Sequence, residues 1–186
     1  RYEFVTGVQT CALPISFTLV LVEDSAMELQ AIEEYHLPLN KNMNELDIYT
    51  FEIEILAHQV VHADRNRENI LRSQQRAREL QKTVSQIFQD SIDLAERGSN
   101  DERNDLSDRL GMAKLIGTIR TLEAGTHGFV RTAIQAVDLG VEGKIPEAKK
   151  AIEEMLKYED LNPVYTLVRT KAGELTAASL HETEVN

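Results

Sequence analysis

Inward-facing residues recur at alternating intervals of four and three along the first third of the chain: Ser25, Leu29, Ile32, His36, Leu39, Met43, Leu46, Thr50, Ile53, Ala57 and Val60. Eight of these eleven positions are apolar, whereas neighbours such as Glu33, Lys41 and Glu52 are polar. This heptad spacing is typical of helices that pack side by side at a shallow angle. It predicts a long first helix. Pro38 lies inside that helix and predicts a kink near Tyr35, because proline removes a backbone hydrogen bond and clashes with the preceding turn.

Three further helices are predicted, and short polar segments separate them. Asp64–Asn69 forms the first turn, and the second helix continues to about Arg97. Gly98–Asp101 combines a glycine stop with capping residues and predicts the second break. The third helix runs from about Glu102 to Val141 and ends before Gly143. The fourth runs from about Pro146 to Glu182, with a kink at Asn162-Pro163.

The inward positions of these three helices follow the same helical period. They are Ile70, Ala77, Leu80, Val84, Ile87 and Leu94; Leu115, Ile119, Leu122, Thr126, Phe129, Ala133, Ala136 and Gly140; and Ala148, Ile152, Met155, Val164, Val168, Leu175 and Ala178. Long helices joined by short turns must lie beside one another and alternate in direction. The sequence therefore predicts an all-α fold, an elongated antiparallel four-helix bundle.

Composition supports this fold and limits the partners. Nine glycines, four prolines and no tryptophan in 186 residues are typical of a helical chain rather than an all-β one. The net charge of −11, from 31 acidic and 20 basic residues, argues against nucleic acid, because phosphate binding needs clustered cations. A thin bundle suits the transmission of displacement better than an enzyme core, so no catalytic activity is expected.

The first fifteen residues do not fit this pattern. Residues 1–15 read RYEFVTGVQTCALPI and contain the only cysteine, and the part from Val5 to Ile15 resembles a translated sequencing-library adapter. We interpret residues 1–15 as non-native and 16–186 as the domain; a genuine strand or a signal-peptide fragment is the alternative. Without Cys11 the chain has no disulfide, thiolate metal site or cysteine nucleophile. The apolar run Ser16–Val22 is shorter than the roughly 20 residues that span a bilayer, and we interpret it as the end of a membrane helix rather than as a buried first turn.

Histidines offer one candidate chemistry. His58 and His62 share a helix face with Glu54, and His127 follows Glu123 by four residues on the third helix. Facing one another, His58, His62 and His127 would provide ligands for zinc or iron. However, the di-iron motif of helical bundles requires Glu-x-x-His spacing, which is absent here. Solvated or hydrogen-bonded histidines are the simpler interpretation, and neither a metal nor another cofactor is predicted.

Arginines near the first turn offer another candidate site. The run comprises Arg65, Arg67, Arg72, Arg76 and Arg78. Guanidinium groups bind carboxylates through two parallel hydrogen bonds, which makes Arg65 and Arg67 the candidate ligand-binding residues. The alternative is that these arginines pair with acids such as Glu68 and Glu79 on a solvated face.

Two segments carry a resemblance to a known family. The first is Ile32-Glu-Glu-Tyr-His-Leu-Pro-Leu39 with Asn44-Glu-Leu-Asp-Ile48 after it; the second runs from Leu122 through His127-Gly-Phe129 and Gly143 to Ile152-Glu-Glu154. Together they resemble the four-helix-bundle extracytoplasmic sensor domain of methyl-accepting chemotaxis receptors, which some histidine kinases and nucleotide cyclases share. Pro163 departs from the usual unbroken fourth helix of that family.

The resemblance implies a bacterial signal transducer of the inner membrane. Its periplasmic sensor domain would lie between two membrane helices that flank this segment, and it would form a homodimer. A small molecule or a periplasmic binding protein would bind at the membrane-distal end, here Asp64–Arg67 and Gly143–Pro146, and displacement of the fourth helix would reach a cytoplasmic output domain. A metal-binding helical bundle and a cytoplasmic coiled-coil adaptor are the alternative functions.

Overall fold

The computed structural model describes residues 26–27, 29–62, 67–158, 170, 173–174 and 177. A π-helical turn, Ile32–His36, leads into the first of four α-helices: α1 (Leu37–His62), α2 (Arg67–Asn100), α3 (Leu106–Val141) and α4 (Ile145–Met155), which a 3-10 turn follows at Leu156–Tyr158. Across these residues the fold is all-helical and contains no strand. The all-α class is therefore confirmed.

The four helices pack against one another around a single apolar core. The nine predicted seam positions from Ile32 to Val60 are all buried, and so are all eight inward positions predicted for α3. Phe129 is 5% exposed, as expected for a central core residue. Leu29 is the exception, with 52% of its surface exposed, while Ser25 lies outside the described residues.

The irregularity that Pro38 predicts near Tyr35 takes the form of a π turn. The amide of Leu37 donates to the carbonyl of Ile32, five residues earlier, instead of to the usual carbonyl four residues earlier. Pro38 has no amide hydrogen, and its ring crowds the turn before it. Widening that turn by one residue accommodates the ring and keeps the helix continuous into α1.

The second break lies further along the chain than Gly98–Asp101, where the sequence predicts it. α2 continues through Gly98 to Asn100, and the loop consists of residues 101–105. The side chain of Asp105 caps α3 by accepting from the amide of Asp108 at 2.6 Å, so α3 begins at Leu106 and not at Glu102. Gly98 is buried within the helix, where a Cβ atom would lie 3.3 Å from both Tyr35 and Met112. Close packing, rather than helix termination, explains this glycine.

The third connection matches the sequence prediction. α3 ends at Val141, Gly143 adopts a left-handed φ of 76°, and Pro146 lies in the first turn of α4. A residue with a side chain would be strained at that φ, whereas glycine is not. Beyond Tyr158, the predicted remainder of the fourth helix and its kink at Asn162-Pro163 fall outside the described residues, as do residues 1–25 and 63–66.

Side-chain contacts define how the helices are matched along their lengths. Between α1 and α2, Asn42 donates to Ser91 at 3.1 Å, while Arg76 pairs with Glu52 at 2.7 Å. Between α2 and α3, Arg120 pairs with Glu96 at 2.9 Å, and Arg78 pairs with Asp138 at 3.1 Å. α4 packs mainly on α3 and only marginally on α1.

Candidate functional site

The end of α1, the start of α2 and the α3–α4 connection lie next to one another. We call this region the turn end, defined by Val60, Val61, Arg67, Gly140 and Ile145. A cavity of about 600 Å³ opens there. α1 and α3 approach closely beside it, because a Cβ atom on Gly140 would lie only 1.8 Å from a methyl group of Val60. The absent side chain at Gly140 therefore permits this approach. The predicted proximity of Arg67 to the Gly143 turn is observed.

Arg67 is the cationic residue that lines this cavity, whose other lining residues are apolar side chains or glycine. Its side chain is exposed and forms no ion pair with any residue that the structure describes. Arg65, the other candidate, lies outside the described residues. A guanidinium beside apolar side chains is suited to a ligand that carries a carboxylate on an aliphatic body.

The remaining members of the arginine run behave as the alternative interpretation expects. Arg72 pairs with Glu68 one turn earlier, Arg76 reaches Glu52 on α1, and Arg78 reaches Asp138 on α3. All three pairs are largely exposed, so each contributes little to stability. Among the described members of the run, Arg72, Arg76 and Arg78 are paired, and Arg67 has no ion pair with a described residue.

The candidate histidines are spread over separate places. His58 lies 4.0 Å from Glu54, and His62 lines a cavity of about 450 Å³ together with Asn69 and Arg72. His127 lines a different cavity, between α2 and α3. Within the described ranges, no group of three or more histidine, cysteine, aspartate or glutamate residues is arranged to hold a metal ion.

A polar cluster at the opposite connection was not predicted from the sequence. We call it the loop end: Glu34, Tyr35, Asp101, Arg103 and Asn104. The Tyr35 hydroxyl donates to Asp101 at 2.7 Å, and Arg103 binds both Asp101 and Glu34, the latter at 2.9 Å. The side-chain amide of Asn104 donates to the carbonyl of Gly98 at 2.8 Å. The bonds of Tyr35 and Glu34 join the start of the first helix to the α2–α3 loop, and the Asn104 bond joins that loop to α2.

The electrostatics of the loop end follow from these bonds. Hydrogen bonds from the side chain and amide of Arg103, together with the Tyr35 hydroxyl, hold the pKa of Asp101 well below its usual range. Burial and the bond to Asp101 raise the pKa of Tyr35. The only signals in the sequence were indirect ones, the Gly98–Asp101 break and Tyr35 next to the Pro38 irregularity.

His36 also belongs to this region of the chain. It is 1% exposed, and its Nδ1 atom has no hydrogen-bond partner in the described part of the protein. Burial lowers the pKa of His36, because the charged imidazolium loses its hydration. The histidine is therefore held neutral inside the bundle.

The outer face of α1 carries an apolar stripe. Ile48 and Phe51 are each 61% exposed, Leu37 is 54% exposed, and Ile55 is 39% exposed. Successive members are eleven, three and four residues apart, which places them on one face of the helix, opposite the buried seam. This stripe was not predicted from the sequence.

No helix among the described residues combines the length and the apolar character needed to cross a membrane. Comparison of the chain with protein-family models, with curated proteins and with solved structures gives no significant match.

Proposed function

We propose that residues 16–186 form the ligand-sensing extracytoplasmic module of a transmembrane signal transducer. The observation that carries this proposal is Arg67, an arginine without an ion pair among the described residues, in an otherwise apolar cavity where the end of α1 and the start of α2 meet the α3–α4 connection. The module binds its ligand and does not convert it. The resemblance of Ile32–Leu39 and Leu122–Glu154 to chemotaxis-receptor sensor domains supports a periplasmic location between two membrane helices.

The proposed architecture is an elongated antiparallel four-helix bundle. Contacts between neighbouring helices support it, because partners occur in opposite order along the chain: Asn42 with Ser91 and Glu52 with Arg76 on α1 and α2. α3 and α2 follow the same rule, with Arg120 on Glu96 and Asp138 on Arg78. α1, α2 and α3 contain 26, 34 and 36 residues, which corresponds to about 40 to 54 Å.

The proposed ligand is a small carboxylate with a branched aliphatic body. Val60, Ile70 and Ile145 provide apolar surface, and Arg67 provides a fork of donors for the carboxylate. Lys144, the cation next to the Gly143 turn, pairs with Glu142 at 2.7 Å. Binding would favour one of two packings of α4, which contacts α1 only marginally, by a few kcal/mol.

Titration with isovalerate tests this site directly. We expect saturable chemical-shift changes at Val60, Gly140 and Ile145 when isovalerate is added to the isotopically labelled 186-residue chain. Arg67→Gln should weaken binding about tenfold or more, because it removes a charge-assisted hydrogen bond to the carboxylate. Arg72→Gln is the matched control, since it removes the same charge from a residue that pairs with Glu68.

The uncharged analogue 3-methylbutan-1-ol should bind more weakly than isovalerate by a similar factor. Equal binding of the alcohol and the acid, or equal weakening by Arg67→Gln and Arg72→Gln, would contradict a carboxylate site at Arg67.

The membrane topology is tested separately. The natural gene should encode about 20 consecutive apolar residues on each side of this segment.

A homodimer completes the proposal, with a second copy of α1 covering the apolar stripe. Leu37, Ile48, Phe51 and Ile55 have heptad-type spacing, so two copies of α1 related by a twofold axis would bring the same side chains together. Sedimentation equilibrium should give a dimer for the wild-type chain and a monomer for Phe51→Glu. Leu110→Glu places a charge at an exposed leucine of α3, and this control should leave the dimer intact. A monomeric wild-type chain at high concentration would remove the dimer from the proposal.

A further inference from the structure

A second cavity with ligand-binding character lies away from the turn end, where Tyr158 approaches the groove between α2 and α3. Its volume is about 460 Å³. Val84 and Val130 supply apolar lining, and Gln81, His127, Arg131 and Tyr158 supply polar groups from three separate segments of the chain. Pockets of this size and mixed lining are typical of small-molecule sites.

Arg131 supplies an available cation in this cavity. In the described part of the chain it forms neither an ion pair nor a hydrogen bond, whereas Arg120, three turns earlier on the same helix, pairs with Glu96. The chain has 31 acidic residues, yet none of those that the structure describes pairs with Arg131. Arg131 is therefore a candidate to bind an anion from solution.

Tyr158 is positioned by the backbone of α3. A Cβ atom at Gly128 would lie 2.8 Å from Cε1, 3.1 Å from Cζ and 3.2 Å from the hydroxyl oxygen of Tyr158. The tyrosine ring thus occupies the space that any other residue at position 128 would fill. The ring is half-buried, and its hydroxyl has no hydrogen-bond partner among the described residues, which leaves a donor directed by a fixed ring.

His127 adds a second ring whose orientation is set by the core. Its imidazole meets the fully buried Phe88 edge-on, with ring centroids 6.3 Å apart and planes at 90°. The imidazole nitrogens offer hydrogen-bonding atoms in either protonation state. Two aromatic rings, two valines and one cation therefore surround the same space.

We infer that this cavity is a second binding site, for a small aromatic carboxylate, with Arg131 binding the carboxylate and Tyr158 and His127 contacting the aromatic ring. Aromatic pairs prefer edge-to-face or offset arrangements, which two rings from different segments can offer to a flat ligand. Because Tyr158 follows α4 directly, an occupied site connects the end of α4 to α2 and α3. This inference goes beyond the site at Arg67 and does not depend on it.

Calorimetric titration of the 186-residue chain with benzoate tests the inference. Wild-type protein should bind benzoate at one site of this kind, and Arg131→Gln should weaken binding about tenfold or more. Arg120→Gln is the matched control, because it removes an equal charge from the same helix and should leave benzoate affinity unchanged. Benzamide, which keeps the ring but lacks the charge, should bind about tenfold more weakly than benzoate.

Two further variants separate the tyrosine's role from a general loss of charge. Gly128→Ala should displace the Tyr158 ring and weaken benzoate binding, and Tyr158→Phe should weaken it by a smaller factor because the ring remains. Circular dichroism must show that both variants are folded. If Gly128→Ala is not folded, benzoate binding by Tyr158→Phe and Arg131→Gln tests the inference.

The two sites fail independently. Arg67→Gln should leave benzoate binding intact, and Arg131→Gln should leave isovalerate binding intact. Benzoate affinity that is unchanged in Arg131→Gln, equally reduced in Arg120→Gln, or undetectable in the wild type would overturn the inference. None of those results would affect the site at Arg67.

Discussion

The loop end and the turn end of the bundle are held by different kinds of contact. The loop end is held by directional, charge-assisted bonds: Tyr35 and Arg103 both bind Asp101, and Asn104 binds the Gly98 carbonyl. The turn end is held by contact between Val60 and Gly140, and its cation, Arg67, faces a cavity. A network of hydrogen bonds fixes one geometry, whereas apolar contact beside empty space permits small shifts. This difference fits the proposed sensor, in which the ligand binds at the turn end and hydrogen bonds fix the loop end.

The largest effect should come from the core that both ends share. Phe129→Ala removes a buried ring from α3 and should lower the free energy of unfolding by roughly 3–5 kcal/mol. Urea unfolding followed by circular dichroism measures this change. Leu110→Ala, at a position 52% exposed, is the control and should change stability by less than about 1 kcal/mol. A comparably small change for Phe129→Ala would mean that its side chain does not lie in the core.

A smaller effect should come from the loop end alone. Asp101→Asn should cost about 1–3 kcal/mol at neutral pH, because Arg103 loses its charged partner and the bond from Tyr35 is weakened. Since the pKa of Asp101 is lower in the folded state than its usual value of about 3.9, the wild type should lose this stability as the pH falls below about 4. The variant should lack that part of the acid dependence.

Asp90→Asn serves as the control for Asp101→Asn. Asp90 is exposed and, among the described residues, accepts a bond only from Gln86, one turn earlier on α2, so its replacement should have little effect. Two results would show that the loop-end bonds do not hold the start of the first helix to the α2–α3 loop. One is a free energy of unfolding in Asp101→Asn that depends on acid pH as in the wild type, and the other is an equal loss of stability in Asp90→Asn.

A further acid dependence should arise at His36. Burial places its folded pKa below the unfolded value of about 6.5, so the unfolded chain binds more protons and stability falls as the pH drops below about 6.5. His36→Leu replaces the buried imidazole with an apolar side chain that cannot be protonated. The free energy of unfolding of this variant should therefore depend less steeply on pH between 6.5 and 5. His127→Leu is the control at an exposed histidine and should keep that slope. A slope unchanged in His36→Leu would assign the dependence to another group.

The smallest effect on stability should come from the turn end. Replacing Arg65 and Arg67 with alanine should change the free energy of unfolding by no more than about 0.5 kcal/mol, because Arg67 is exposed and has no ion pair among the described residues. The same variant should lose isovalerate binding. Thermal unfolding and calorimetry on one sample measure both quantities. A strongly destabilised variant would give these arginines a structural role, and intact binding would remove them from the site.

The sequence predicted those features that depend on periodicity and on glycine or proline geometry. The seam of α1 and the eight inward positions of α3 are buried as predicted, since a helical period constrains which face is apolar. Gly143 and Pro146 were also placed correctly, because their backbone preferences are local.

Features that depend on contacts between distant residues were missed. Gly98 looked like a helix stop because its packing against Tyr35 and Met112 is visible only in three dimensions. The loop end joins Tyr35 to Asp101 across 66 positions of sequence, and no local pattern marks that pair. The pairing of Arg76 and Arg78 with residues of other helices is likewise a tertiary property.

Hydrogen exchange with and without isovalerate tests most directly whether the two ends differ in function. Saturating isovalerate should slow amide exchange at Val60, Val61, Ile70, Gly140 and Val141, which line the cavity beside Arg67. It should leave exchange at residues 98–104 and at Tyr35 unchanged. In the Arg67→Gln variant, the same concentration of isovalerate should not slow exchange at the turn end. Slowed exchange confined to the loop end, or spread evenly over both ends, would contradict the assignment of ligand binding to the turn end.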